Sequence, residues 1–547
     1  MFVFAKFYIV FSSSLYDIMA EQQHEVKLKK ALTFPQMLVI GLIAAVGTGA
    51  LFAPVAMVGV AGPSAIMGWI IGAIMYTFVS FTFVELSKTY PEAGGPSRYS
   101  LYTHGRFTNA LNAFADLIWY IFIPPIEALA TVEGLQYLYP HFIASSGAPT
   151  LLGAGLGVLV LALFLPLNYF GVKAFGKYSL YIGFVKLAVY LLAAFGMMFV
   201  FFKFDNFYIY RGGFLPFGFS GILFAIPFAM FAFGGIRVVP DYAEETTETK
   251  ENRFLGRTII YTVIGQSLIY ILFSIAFIAG LKWSAISIAP GAWADVKSNI
   301  TENPFVFLAS SYHNYVVLII VLVVSILGPF VTGYVYVGSG ARVLLATARS
   351  KIMASSMKKL SETYAVPYWS VIAFVIVGAI VAFISAPVPD IYALLTDAVV
   401  AGYLGFSVTP VAMIVSRRQG ATKKEDKLPA GTTIAVIAFI SSSLIAFWSG
   451  WPSVPYAMFI LALAMLVFGI VYKIKEHFLN SIWYILYMAF ILLMSYIGSD
   501  GALNLIPFTY STLIVAAISA AIFFPWGIIS GLDSPYNVDN APIPNIE

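Results

Sequence analysis

Two apolar segments of the 547-residue chain are interrupted in the same way, 186 residues apart. The first reads Ala45-Val46-Gly47-Thr48-Gly49-Ala50-Leu51-Phe52-Ala53-Pro54, the second Phe231-Ala232-Phe233-Gly234-Gly235-Ile236-Arg237-Val238-Val239-Pro240. Each has glycines in mid-span and a proline five residues after the last of them. Glycine and proline weaken a helix more than any other residues. Inside a bilayer a broken helix bares backbone N–H and C=O groups, so a break persists only where something else binds them. Glycines also serve simply to let helices pack closely. A matched pair of breaks, one per half of a chain, points instead to a substrate site at membrane depth.

Composition places these segments in lipid. The chain is 60% hydrophobic and 10% charged, with a mean hydropathy of +0.88, whereas an ordinary soluble domain is roughly one quarter charged. The apolar residues come in runs of about 18 or more, long enough to cross a bilayer as helices. The net charge of +4 is small and spread over loops, which argues against nucleic-acid binding. The chain has no cysteine, so disulfides, thiolate metal sites and cysteine nucleophiles are excluded. No histidine pattern suits a metal, no cofactor is implied, and no cluster of carboxylates with histidine suggests an enzyme. The histidines, His104, His141 and His313 among them, read as solvated loop residues.

Hydropathy predicts an all-α polytopic protein with about fourteen spans. Their approximate limits are 34–58, 63–87, 111–136, 150–171, 177–202, 217–241, 257–281, 314–345, 367–387, 390–416, 431–449, 453–473, 480–498 and 506–530. With the N-terminus inside, Lys203, Arg211, Lys282 and Lys297 are the only four basic residues on outer loops, against twenty-three on inner ones. That bias predicts cytoplasmic N- and C-termini in the cell membrane. Residues 1–30 form a cytoplasmic start whose true initiator is Met1 or Met19. The 282–313 connection, with Trp283 and Trp293, is an outer lid or a solvated connector. The polar tail, 531–547, reads as disordered.

Chemically, a break offers two kinds of group. Free amides at a helix N-terminus suit a carboxylate, helped by the helix dipole; free carbonyls suit an ammonium or alkali cation. A zwitterion carries both charges, so two crossed breaks suit an α-amino acid. Thr48 adds a hydroxyl, and Phe231 and Phe233 flank the second pair of glycines.

Several motifs in order then resemble the amino acid–polyamine–organocation (APC) permeases, which share the leucine-transporter-type fold. They are Gly47-Thr48-Gly49-Ala50-Leu51-Phe52, Gly62-Pro63 with Tyr90-Pro91-Glu92-Ala93-Gly94-Gly95, Phe233-Gly234-Gly235 with Ala243-Glu244-Glu245, Gly338-Ser339-Gly340-Ala341-Arg342, and Val366-Pro367-Tyr368. The resemblance runs from about residue 30 to 420. It implies a 5+5 inverted repeat with broken helices 1 and 6: residues 31–203 as the first five-helix repeat, 204–418 as the second, and 419–530 as accessory helices 11–14. It further implies that substrate carboxylate meets the backbone at Gly47, Thr48 and Gly49. Substrate ammonium then meets carbonyls near Val46 and over Phe231, Ala232, Phe233 and Gly234, with Phe231 as a gating aromatic.

Three charged residues complete the expectation. Lys186 lies in mid-span, where a lysine is costly and functional by default; by resemblance it replaces a sodium ion and carries the coupling proton. Arg237 stands where the family commonly has glutamate, and an arginine cannot release a proton. It is expected to pair with Glu127, Glu133 or Asp116, and it disfavours cationic substrates, leaving neutral or apolar amino acids as the expectation. Glu85, Glu244 and Glu245 are candidates for ion pairs with Arg98 or Arg342. Pro124-Pro125 departs from the family pattern. The predicted activity is proton-coupled secondary transport of amino acids. Alternatives are a sodium-coupled or exchanging amino-acid or polyamine transporter, and a non-transporting amino-acid sensor.

Overall fold

The computed structural model describes residues 26–533, apart from 146, 211, 250–251, 301–302, 386–390 and 500. Expectations for the start of the chain and for the tail beyond 533 lie outside the described residues, as do the side chains of Phe231 and Asp397. Every named element is helical. Among the described residues, twelve helices are long and apolar enough to span a bilayer, and two shorter apolar ones begin at Phe34 and Tyr368. They number twelve rather than fourteen because 34–45 and 368–384 are short and because 48–89 runs as one stretch.

The first apolar segment comprises α1 (Phe34–Ala45) and α2 (Thr48–Ala61). Gln36 opens α1 by accepting from the Thr33 amide at 2.9 Å, the reciprocal half of a capping box. Two residues, Val46 and Gly47, separate the helices. After them come α3 (Ala65–Thr89), α4 (Arg106–Leu135), α5 (Leu151–Tyr169) and α6 (Val172–Phe201). The second segment is α7 (Gly218–Phe233), a 3-10 turn over Gly234–Arg237 and the short α8 (Val238–Asp241). Next are α9 (Leu255–Gly280), α10 (Tyr315–Arg349), α11 (Tyr368–Ser385) and α12 (Ile391–Arg418). Helices Gly431–Trp448, Ser453–Val471, Ile482–Ile497 and Phe508–Ile518 follow.

Burial sorts these helices. α4 and the C-terminal part of α12 are almost wholly enclosed, whereas α5, α6, Ser453–Val471 and the last span expose most of their apolar surface. The enclosed α4 carries polar side chains, and the exposed helices carry the lipid-facing leucines and phenylalanines. α4 continues through Pro124-Pro125. Neither proline can donate to the carbonyl four residues earlier, so the carbonyls of Tyr120 and Ile121 lose their helical partners.

Glycines bring the two breaks into direct contact. A side chain at Gly235 would lie 2.5 Å from the Ala45 amide nitrogen, and one at Gly234 would enter the Trp119 ring. Backbone cannot yield as a flexible side chain can. We expect Gly235→Ala to force the breaks apart and destabilise the fold by about 1–3 kcal/mol, the usual range for overpacking. Gly196→Ala on α6, where a methyl meets nothing within 4 Å, should be neutral. Thermal unfolding of the two purified variants checks this.

Candidate functional site

The first break presents two helix ends of opposite polarity. At the C-terminal end of α1, the Ile43 carbonyl accepts from Lys186 Nζ at 2.9 Å and from Thr332 Oγ1 at 2.8 Å. Lys186 Nζ also donates to the Gly328 carbonyl at 2.8 Å and to Thr332 Oγ1 at 2.7 Å. Its three donors thus meet three neutral acceptors, and the side chain is buried. At the N-terminal end of α2, the Thr48 amide donates to both carboxylate oxygens of Glu127, at 3.2 and 3.3 Å, and Thr48 Oγ1 donates to Oε1 at 2.8 Å. A cation at a helix C-terminus and an anion at an N-terminus are each stabilising, by about 0.3–1 kcal/mol on a surface and up to ~2 kcal/mol when partly buried. Gly47 lies between: a side chain there would meet the Glu127 carboxylate and stand 2.7 Å from Thr332 Oγ1. Thr332 therefore sits between the two charges.

The second break is tied to the first by one hydroxyl. Tyr270 of α9 donates to the Ala45 carbonyl at 2.6 Å and approaches the Ala232 carbonyl at 2.9 Å. Phe233 is buried among Trp69, Tyr76 and Tyr270, with ring centres 5.5–5.9 Å away. Arg237 pairs through Nη1 with Asp116 Oδ1 at 2.9 Å and donates from Nη2 to the Gly402 carbonyl at 2.6 Å. Of the three partners the sequence allows, the fold supplies Asp116. Farther along, Asp241 accepts from Tyr120 and Ser339.

A model of the family described as amino acid permease matches residues 32–471. The chain belongs to the amino acid permease family. Among similar proteins, the glutamate/serine transporter AimA of Bacillus subtilis (strain 168) is 28% identical over 531 residues, covering 92% of this chain and 94% of the relative. The aspartate-proton symporter of the same organism is 28% identical over 519 residues, covering 92% of this chain and 97% of the relative. The aromatic amino acid transport protein AroP of Escherichia coli (strain K12) is 26% identical over 260 residues, 45% of this chain and 55% of the relative. This permease is an integral multi-pass membrane protein and a transporter, not an enzyme.

One end of the permease bundle carries a set of ion pairs, of which Arg342–Glu245 is an expected pairing and the others have different partners. Glu85 binds Arg417 rather than Arg98 or Arg342, and its Oε2 also accepts from the Leu428 amide at 2.7 Å. Arg98 pairs with Glu92 at 2.6 Å, Arg342 with Glu245, and Arg349 with Glu244 at 2.6 Å. Burial pushes the Glu92 carboxyl up from the ordinary range, against the pull of Arg98. The Glu245 carbonyl accepts from the Ala31 and Leu32 amides at 2.8 and 3.0 Å, which pins the N-terminal segment to this end. Arg98 and Arg342 were the expected partners of Glu85, but α12 returns beside α3, so the bond closes over 332 residues to Arg417.

Other residues also differ from expectation. His104 is buried rather than solvated; its Nε2 lies 2.9 Å from the Gly527 carbonyl, and burial pushes it down to about 4, so it is neutral at physiological pH. In the 282–313 connection Trp283 and Trp293 are buried, and Trp283 Nε1 donates to Asn206 Oδ1 at 3.0 Å. Sequence reasoning passed over Tyr270, Thr332 and Trp119. A tyrosine among 33 carries no signal of its own, and Thr332 is one hydroxyl in an apolar span.

Arg342→Ala would leave Glu245 buried without its cation. Removing one partner of a buried pair typically costs about 3–5 kcal/mol. The expected outcome is a large fall in thermal stability for Arg342→Ala, partly recovered when Glu245→Ala is added. A double-mutant cycle by thermal unfolding measures the coupling.

Proposed function

We propose that this permease moves an α-amino acid together with a proton by alternating access. The observation that carries the reading is the first break: at membrane depth its two ends are held by an internal carboxylate, Glu127, and an internal ammonium, Lys186. Those are the two charges of a zwitterion. The substrate carboxylate takes the place of Glu127 at the α2 N-terminus, near Gly47, Thr48 and Gly49. The substrate ammonium is taken by carbonyls near Val46 and in the 231–234 stretch, where Tyr270 now occupies those of Ala45 and Ala232.

The same geometry supports proton coupling. Two carboxylates at one helix end repel, and a proton on Glu127 removes the repulsion. An ammonium has three donors, all used by Lys186 in this state. A neutral amine must drop one of these bonds, so proton loss loosens the hold of α6 on α1 or α10. The relatives' names support both parts: two full-length relatives are a glutamate/serine transporter and an aspartate-proton symporter. These two names favour a small polar or acidic substrate over the expected neutral or apolar one.

The wider architecture follows the same reading. Spans one to five and six to ten form two inverted repeats, residues 31–203 and 204–418, with 419–530 accessory. Counting α1–α2 as one interrupted crossing and including α11 gives fourteen crossings, with both termini cytoplasmic. The ion-paired end is then the cytoplasmic end, closed in this state. Glu85 belongs to that closure.

Lys186→Ala in proteoliposomes should abolish uptake driven by an inward pH gradient, with a loss of at least about tenfold. Glu127→Gln keeps the shape at Thr48 but not the charge, and its uptake should no longer respond to the gradient. Undiminished gradient-driven uptake by both variants would contradict the coupling. A sensor would bind amino acid in detergent yet show no accumulation in the same vesicles.

A further inference from the structure

Arg237 is more than the partner of Asp116. It ends the 3-10 turn that follows Gly234 and is buried. An arginine keeps its charge under all ordinary conditions and carries five N–H donors. Here one donor meets the Gly402 carbonyl, and Nη1 faces a single oxygen of Asp116. Among the described residues Nε has no hydrogen-bond partner, and Nη1 meets Asp116 as an ion pair without hydrogen-bond geometry. The guanidinium lies over the Phe406 ring, 3.7 Å from its centre, and 5.1 Å from that of Trp119.

A second under-bonded donor lies on the same aromatic ring. Tyr76 meets Phe406 edge-on at 5.5 Å and stacks on Phe233, in the second break, at 5.7 Å. Its hydroxyl is buried and has no hydrogen-bond partner among the described residues. A charged and a neutral donor, both incompletely bonded, thus flank Phe406 beside the broken helix. Buried polar groups are normally satisfied, so two neighbouring exceptions need an explanation, and a bound ligand supplies one.

We infer that Arg237 is the subsite for a carboxylate on the substrate's side chain, with Tyr76 as a second donor. This rests on the amino-acid reading above and narrows it to acidic amino acids. The planar guanidinium suits a carboxylate held through two N–H groups; an amide or an apolar side chain leaves its charge unmet. Asp116 is the internal anion that holds the guanidinium while no acidic side chain is present. Its other oxygen accepts from Ser97 Oγ at 3.2 Å, so it keeps a partner when it yields Arg237.

The test compares each acid with its near-isosteric amide. Purified full-length protein in detergent is titrated with glutamate, glutamine, aspartate and asparagine, by calorimetry and by thermal shift. Wild type should bind each acid at least tenfold more tightly than its amide. In Arg237→Gln that ratio should fall to near one. Asp116→Asn removes the competing internal anion, so glutamate should raise its melting temperature by more than it raises that of wild type. Equal binding of acid and amide by wild type overturns the inference, as does an acid preference that survives in Arg237→Gln. If Arg237→Gln does not fold, the wild-type ratio and the Asp116→Asn shift decide: an absent preference or a smaller shift overturns it. Acid-selective binding without uptake in vesicles would uphold Arg237 and sink the transport reading instead.

Discussion

A helix interrupted inside a membrane has two ends, and they carry opposite partial charges. This constraint organises the interior of the permease. The C-terminal end of α1 is met by the Lys186 ammonium and the N-terminal end of α2 by the Glu127 carboxylate. Each charge is expensive alone in an apolar medium, and each open helix end leaves backbone groups without partners. Placed together, they offset one another's desolvation. The break is therefore a small polar site built from backbone, requiring one cation and one anion that the chain supplies from α6 and α4.

The rest of the interior follows from keeping that site compact. Gly47 leaves room for the Glu127 carboxylate and the Thr332 hydroxyl; Gly235 lets the second break lie against Ala45. Tyr270 then lies between a carbonyl of each break, with its one O–H to donate to either. Such an arrangement resists change at single positions yet is held by groups that can exchange partners. A hydroxyl or a carboxylate can pass its hydrogen bond to an incoming ligand far more readily than a packed apolar side chain can move. The ion-paired end differs. Its arginine–glutamate pairs join α3 to α12 and α10 to the segment after α8, backbone hydrogen bonds add the N-terminal segment, and opening that end requires several charges to part together.

How much of this could be read from the chain varied with distance along it. Local features were legible: Gly47 and Gly234-Gly235 lie where the helices are interrupted, although Pro54 and Pro240 lie within the helices that follow; hydropathy marks the helices, and a lysine in mid-span marks a polar interior. Partner choice was not, because it depends on which helices become neighbours. The sequence allows Glu127 as a partner for Arg237; in the structure it lies at Thr48, 79 residues away in sequence, while Asp116, about three turns earlier on α4, meets the arginine. Glu85 likewise found Arg417. Buried hydroxyls such as those of Tyr270 and Thr332 were invisible for a different reason: their residue types are common in apolar helices, and only position separates a structural hydroxyl from one at a break. The count of spans was blurred where short helices meet, since α1 alone is too short to register as a crossing.

The central claim is that Glu127 and Lys186 hold the two ends of the first break in place of a zwitterion. An experimental structure with a bound amino acid tests it most directly. The account predicts the substrate carboxylate at the α2 N-terminus, with Glu127 withdrawn from the Thr48 amide. A bound amino acid located away from the breaks, or one at the breaks that leaves the three Glu127–Thr48 contacts unchanged, would contradict it.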